Sequence, residues 1–250
     1  MPSFKSDGVD IAYVDEGKGE PILLIHGFAS NVVANWKDSS WLGTLVESGR
    51  RIVALDNRGH GKSEKLYEPE HYGAPSMAED ASRLLDHLGI EKADIMGYSM
   101  GARIAAFLVL RHKERVRSVV FAGMGINMVR GMAGSGPLAK ALEARSIDDV
   151  TNDAARGFRA FAERTGSDLR ALAACMRGPR EKLAAEQLAA IAVPTLVAVG
   201  TEDVIAGSGA ELAALIPGAG LLDIEGRDHM RAVGDARFKQ GVLDFLAQRP

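Results

Sequence analysis

Ser99, Asp203 and His229 are the residues of this 250-residue chain whose types and settings could carry chemistry. A serine hydroxyl is a weak nucleophile until a base takes its proton, and an imidazole base needs a carboxylate to hold its tautomer and stabilise its charged form. Ser99 lies in Gly97-Tyr98-Ser99-Met100-Gly101, after a short apolar run and before an apolar stretch of helical length ending at Arg111. This order predicts strand, sharp turn, helix. Glycines two before and two after the serine remove side chains that would collide in the turn, and the hydroxyl is pushed out at the carboxyl edge of a sheet. Met100 would place its N–H at the start of the helix, where unpaired donors and the dipole favour a developing negative charge. The bland alternative is a tight turn that merely uses a small residue, and the strand and helix on either side weigh against it.

A second donor is expected upstream. Ile22-Leu23-Leu24-Ile25 reads as a buried strand and runs into His26-Gly27-Phe28, a loop that can turn the Phe28 N–H toward the space above Ser99. His26 itself reads as a buried imidazole that ties loops together by hydrogen bonds. Asp203 follows the strand Val193–Gly200, and His229 lies in the loop Glu225–Met230 after a strand at Gly220–Ile224. Their separation of 26 residues (229 − 203) leaves room for one helix and one strand. All three candidates come just after predicted strands, so in a parallel sheet they project from one edge. Asp228 is a rival for the imidazole, but its side chain should point away from its neighbour's. Asp223 and Glu225 are weaker rivals.

The elements that must position these groups alternate in type. Residues 3–6 and 9–15 read as a hairpin around Gly8, followed by a strand at Arg51–Leu55 and further strands at Val116–Phe121 and the two positions above. Helical patterns fall at Ser76–Leu88, with Gly89 as the stop, at Ala210–Leu215 and at Phe238–Leu246. Asp56–Ser63 reads as a hydrogen-bonded scaffold turn, because the spacing of a phosphate loop is absent. Strands alternating with helices argue for an α/β fold, a mostly parallel sheet with helices on both faces. Residues 126–180 differ: short Ala/Arg/Glu-rich helical patterns, a flexible-looking Gly131–Pro137 stretch and no strand-like run. They read as a short helical cap or lid inserted into a core of residues 1–125 and 181–250.

Composition narrows the function. Net charge is −3 with both signs spread along the chain, which argues against nucleic acid and anionic membranes and favours a small-molecule partner. The N-terminus lacks a signal-like apolar core and no stretch has membrane-spanning length, so a cytoplasmic location is expected. The single cysteine, Cys175, reads as a packing residue of an Ala-rich helix, and the six histidines lack metal-type spacing. No cofactor and no metal are expected, and no oligomeric state is assigned.

From His26-Gly27-Phe28 through Asp56–Ser63, Gly97–Gly101, Gly200–Asp203 and Gly226–His229, nearly the whole chain resembles an α/β-hydrolase of the esterase/lipase superfamily. The resemblance implies Ser99 as nucleophile, Asp203 as acid, His229 as general base and the N–H groups of Phe28 and Met100 as oxyanion hole. Arg227-Asp228 departs from the small residues commoner before such a histidine. Relatives with a carboxylate nucleophile are excluded by Ser99. The leading expectation is a carboxylesterase acting on short-acyl esters through an acyl-enzyme, with Tyr98, Met124 and Met128 as candidate pocket lining or, equally, ordinary core. A triad-based lyase or carbon–carbon hydrolase is the alternative: Arg103 stands where the similar elbow of a menaquinone-pathway synthase carries arginine, and Arg130, Arg145, Arg156 and Arg159 follow. A carboxylate-bearing substrate would suit paired arginines, although Arg103 is expected to reach a carboxylate on a nearby loop. Perhydrolysis by the same site is a possible side activity, and a hydrolase-fold small-molecule receptor is the reading from another class.

Overall fold

The computed structural model describes residues 1–131 and 135–249. Strands β1 (Ser3–Ser6) and β2 (Val9–Gly17) form the expected hairpin, turned by Asp7 and Gly8, both at positive φ. Then come β3 (Pro21–Ile25), β4 (Arg51–Leu55), β5 (Ala93–Tyr98), β6 (Val116–Ala122), β7 (Thr195–Gly200) and β8 (Gly220–Ile224). The eight form one sheet in the order β1-β2-β4-β3-β5-β6-β7-β8, antiparallel as far as β2–β4 and parallel from there on. Parallel strands bring every loop after β3, β5, β6, β7 and β8 to one rim.

Side-chain alternation distributes the core to both faces. Ile22, Leu24, Ile52, Ala54 and Met96 pack in the layer containing residues of α1 (Trp41–Glu47) and α10 (Ala236–Gln248). Leu23, Ile25, Val53, Leu55 and Ile95 pack with α2 (Ala74–His87) and α3 (Met100–Arg111). Helix α2 starts two residues before the expected Ser76, because Pro75 is compatible with the first helical turn, where its missing N–H costs nothing. Helix α1 has no counterpart in the sequence reading. Its Trp41 indole donates to the Val233 carbonyl at 2.7 Å and meets Phe238 edge-on, so tertiary burial supports this short segment.

Between β6 and β7 lie α4 (Asn127–Arg130), α5 (Ser135–Glu143), α6 (Asp153–Arg164), α7 (Leu169–Arg177) and α8 (Ala185–Ala189), with no strand among the described residues. Asn152 and Asp168 accept from backbone N–H groups at the starts of α6 and α7, which explains where those helices begin. Leu138, Leu142, Leu172 and Met176 of this segment belong to the same core cluster as α2 and α3. Of the glycine-rich stretch Gly131–Pro137, Met132–Gly134 lie outside the described residues, and Ser135–Pro137 open α5. Helix α9 (Gly209–Ala214) joins β7 to β8.

The Asp56–Ser63 loop is scaffold, as its composition suggests. Asp56 accepts from the N–H groups of Val32 and Lys62, each at 2.7 Å, and pins the loops after β3 and β4 together. A Cβ on Gly61 would overlap the Asp56 carboxylate, and its positive φ also favours glycine there. His26 adds a second tie. Its Nδ1–H donates to the Gly27 carbonyl at 2.7 Å, and its Nε2 accepts from the Asn57 N–H at 2.9 Å. Burial pushes this imidazole down to about 4, and burial with the neighbouring His26 ring pushes His60 to about 3. At the opposite rim, Asp94 is buried, accepts from Ser118 Oγ at 2.7 Å and pairs with Arg50 at 2.8 Å and Arg249 at 2.7 Å.

Two predictions follow from these buried polar groups. Asp94→Ala leaves the arginines without their buried counter-ion and should lower unfolding free energy by about 3–5 kcal/mol in urea titrations; a loss below ~1 kcal/mol would contradict the network's role. In the unfolded chain His26 and His60 bind protons near their ordinary 6.5, whereas the folded rings stay neutral to about 4 and about 3. The unfolded state therefore binds more protons, and stability held above pH 6.5 should be lost as pH falls toward 4. Ring-proton resonances of both histidines should stay unshifted from pH 8 to 5.5 in the folded protein, and a midpoint near 6.5 for either would refute the assignment.

Candidate active site

The site forms where β5 turns into α3. Ser99 has φ 56° and ψ −115°, a conformation that costs energy for a residue with a Cβ and persists only where its surroundings enforce it. Those surroundings are backbone. A Cβ on Gly97 would overlap the Gly101 carbonyl, and one on Gly101 would overlap the Ile25 carbonyl, so both glycines are demanded by close approach. The Ser99 N–H donates to the Ala122 carbonyl at 2.8 Å, which fixes the turn to β6.

Ser99 Oγ lies 3.0 Å from His229 Nε2, and His229 Nδ1 lies 2.7 Å from Asp203 Oδ2. A carboxylate only accepts, so Nδ1 carries the ring proton and Nε2 presents its lone pair to the hydroxyl. The Oδ1 of Asp203 accepts from the N–H groups of Ile205 and Ala206 at 3.0 and 2.9 Å. These bonds fix the acid's rotamer and hold negative charge in a buried position. Both Asp203 and His229 are 6% exposed, so the attraction between them is little screened by water. Asp228 instead accepts from the N–H groups of Met230 and Arg231 at 3.0 and 2.8 Å, which turns its carboxylate away from the imidazole. Asp223 and Glu225 are exposed. The Tyr98 hydroxyl donates to the His229 carbonyl at 2.6 Å and braces that loop from the residue before the serine.

The loop after β3 reaches the serine from the other side. A Cβ on Gly27 would lie 3.3 Å from the Ser99 Cβ, and the Gly27 N–H donates to Asn35 Oδ1 at 3.2 Å. The N–H groups of Phe28 and Met100, the two expected oxyanion donors, donate to no other group among the described residues. Asn35 was not expected from the sequence; no spacing rule connects it to Gly27, and the bend between them brings them together.

Two cavities meet at Ser99. The larger, about 490 Å³, is bordered by Met77, Met100, Arg103, Met124, Met176 and Arg180. The smaller, about 180 Å³, is bordered by Asn35, Tyr98, Phe161, His229 and Met230. Phe28 and Phe158 touch both and stand edge to face, with ring centroids 6.3 Å apart. The α6 end is tied to the same loop through Thr165 Oγ1, which donates to the Ala29 carbonyl at 2.9 Å. Met124 and Tyr98 thus border a cavity as expected. Met128 does not: α4 turns it into the core, where it is fully buried, and it borders neither cavity. Cys175 is buried in α7 and its thiol is pushed up to about 12 by that burial, which suits a packing residue.

Arg103 corrects another expectation. Among the described residues it reaches no carboxylate; its guanidinium donates to the backbone carbonyl of Asn127 at 2.9 Å. Burial, and secondly the positive charge of Arg180, pull its pKa below the usual arginine value. Of the other arginines named from the sequence, Arg130 pairs with Glu211, Arg156 with Asp148 and Arg159 with Glu163. Arg145 borders neither cavity. Arg130 and Arg180 border the larger cavity with Arg103, and Gly178-Pro179-Arg180 carries no local pattern that marks the last of them.

Together these groups can take a proton from a hydroxyl, hold the resulting imidazolium against a buried carboxylate and return the proton to a leaving atom. Among the described residues no cluster of His, Cys, Asp or Glu is placed to hold a metal, and no helix is long and apolar enough to cross a membrane.

Known proteins share this architecture. Residues 20–173 match the family model described as the alpha/beta hydrolase fold. The 2-hydroxymuconate semialdehyde hydrolase of Pseudomonas sp. (strain CF600) is 32% identical, over 94% of this chain and 89% of its own length. The non-heme chloroperoxidase CPO-A1 of Kitasatospora aureofaciens is 31% identical, over 96% of this chain and 97% of its own. The solved structure of Est816, an N-acyl homoserine lactone degrading enzyme, superposes with a TM-score of 0.79 at 25% identity, covering 98% of this chain and all of that one. With a family model matching more than half of the chain and relatives aligned over nearly its full length, the chain belongs to the alpha/beta hydrolase fold family.

Proposed function

We propose that the protein is a serine hydrolase of carboxylic esters, with Ser99 as nucleophile, His229 as general base and acid, and Asp203 as the group that orients and stabilises the imidazole. The observation that carries this reading is the unbroken path from Ser99 Oγ through His229 to Asp203, 3.0 and 2.7 Å long, at a strained serine. Ser99 Oγ attacks the ester carbonyl as its proton passes to Nε2. The carbonyl oxygen becomes an oxyanion, and the N–H groups of Phe28 and Met100 are its donors. Collapse breaks the bond to the alkoxy oxygen, which takes the proton from Nε2 and departs as alcohol. Water then attacks the acyl-enzyme, gives its proton to Nε2, and the second collapse returns that proton to Ser99 Oγ with release of the acid. The helical segment after β6 serves as a cap, seated on the oxyanion loop through Phe28–Phe158 and Thr165–Ala29.

A second reading keeps the same residues but breaks a carbon–carbon bond. It draws on Arg103 and Arg180, two of the three arginines bordering the larger cavity, which pair with no carboxylate among the described residues, and on the 32% identity to a 2-hydroxymuconate semialdehyde hydrolase. A β-diketone or dienoate keto acid turned over faster than any ester of matched size would favour it over the first.

Ser99→Ala should lower kcat on a p-nitrophenyl ester by about 10³-fold or more, and Asp203→Asn by a comparable factor, because each removes a member of a unit. Multiple turnovers by the Ser99→Ala protein would refute the nucleophile, and a native protein that stalls after one equivalent of product would favour a receptor. With a chamber of about 490 Å³ under the cap, acetyl and butyryl esters should outpace dodecanoyl esters in kcat/KM. A long-chain optimum would contradict the short-acyl assignment.

A further inference from the structure

The two cavities at Ser99 differ in chemistry in a way that gives a substrate a direction. His229 borders the smaller one and not the larger, so a leaving atom that takes the proton from Nε2 departs on the smaller side. Whatever stays bonded to Ser99 then extends into the larger cavity, which Arg103 and Arg180 border. Arg103 is held by one backbone carbonyl, and Arg180 by the Met176 carbonyl at 3.0 Å and its sulfur at 3.3 Å. Neither has a carboxylate within 4.0 Å among the described residues, and the side chains of Met132, Ala133 and Gly134 include no acid. A guanidinium has five donors, and one or two carbonyl acceptors leave most of them unused. Arg103 is half-buried and Arg180 is exposed, and an anion placed between them would offset their like charge. Met77, Met100, Met124 and Met176 give that cavity apolar border, and Arg130, Lys182 and the carboxylate of Glu181 border it as well, so among the described residues its cations outnumber its acids. A ligand that suits it has an apolar middle and an anionic far end.

We propose that the large cavity is a carboxylate-terminated acyl site, and that the protein hydrolyses half-esters of short dicarboxylic acids, with the free carboxylate on Arg103 and Arg180 and a small alcohol leaving through the His229 side. This rests on the ester-hydrolase reading and adds to it the substrate class and its orientation. The atoms balance as for any ester: the half-ester and one water yield the diacid and the alcohol, and the diacid's second carboxylate takes no part in the bond changes. A diacid chain of four to six carbons is small enough for a cavity of about 490 Å³.

The test compares three esters of matched size on the native protein: monoethyl glutarate, neutral ethyl valerate, and an acetate ester of a hydroxy acid, which carries its carboxylate on the leaving group. The proposal expects kcat/KM for the glutarate half-ester to exceed that of the neutral ester by at least about tenfold, as charge-assisted hydrogen bonds do, through KM more than kcat. The acetate ester should be poorer than the neutral one. Arg180→Gln and Arg103→Gln should each reduce the glutarate-to-valerate ratio by about tenfold, and the ratio cancels any general loss of activity or folded protein. Calorimetry with glutarate on Ser99→Ala supplies a measurement independent of turnover, in which binding weakens with added salt and is lost in the Arg180→Gln background. Equal kcat/KM for charged and neutral esters overturns the proposal and leaves the ester-hydrolase reading standing. Preference for the carboxylate on the leaving group overturns the orientation, and no hydrolysis of any of the three overturns both readings.

Discussion

The structure depends on the close approach of three backbones around Ser99. The end of β3, the β5–α3 turn and the start of α3 meet where a Cβ on Gly27, Gly97 or Gly101 would crowd or overlap a neighbouring atom. Removing those side chains lets the chain reverse from strand into helix within one residue and leaves Ser99 with the unfavourable φ and ψ. The same approach puts the N–H of Phe28 and the N–H of Met100 in two segments that pack on each other. Hydroxyl exposure, donor placement and strand-to-helix packing are therefore one constraint, carried by three glycines.

Around that point the sheet acts as a spacer of fixed dimensions. Parallel strands deliver Phe28, Ser99, Asp203 and His229 to one rim from four different loops, and the polar groups of those loops are tied to one another rather than left to solvent. His26 and Asp56 clamp the loops after β3 and β4, Tyr98 holds the His229 carbonyl, and Asp203 is fixed by two backbone N–H groups. The opposite rim carries the Asp94 ion pairs, far along the same strand from the serine. Buried charge at one end of β5 serves stability. Buried charge at the other end, on Asp203, lies within hydrogen-bonding distance of His229.

Much of this was legible in the sequence because it is local. Alternation and short apolar runs located the strands, and the spacing Gly-x-Ser-x-Gly marked the elbow because sterics dictate glycine at those two offsets. Asp203 and His229 could be named because each sits directly after a strand, where a parallel sheet leaves no choice of edge. What was not legible depends on contacts between distant segments. Helix α1 is supported by Trp41 packing on Phe238, nearly two hundred residues away in the chain. For Met128 the sequence leaves pocket and core open, and α4 turns it into the core. The sequence leads one to expect a carboxylate for Arg103, but among the described residues it meets the Asn127 carbonyl instead, and Arg180 arrives from beyond α7 without any sequence signal. The packing of the helical segment between β6 and β7 decides these positions, and its periodicity gives helices without giving their docking.

The central claim is that Ser99, alone among the chain's serines, is chemically competent, and covalent capture tests it most directly. Incubation with a fluorophosphonate followed by tryptic mass spectrometry should place one phosphonyl group per chain on Ser99, in the peptide Ala93–Arg103, with labelling abolished when the protein is unfolded beforehand. A native protein that resists the reagent, or an adduct on any other residue, would contradict the account.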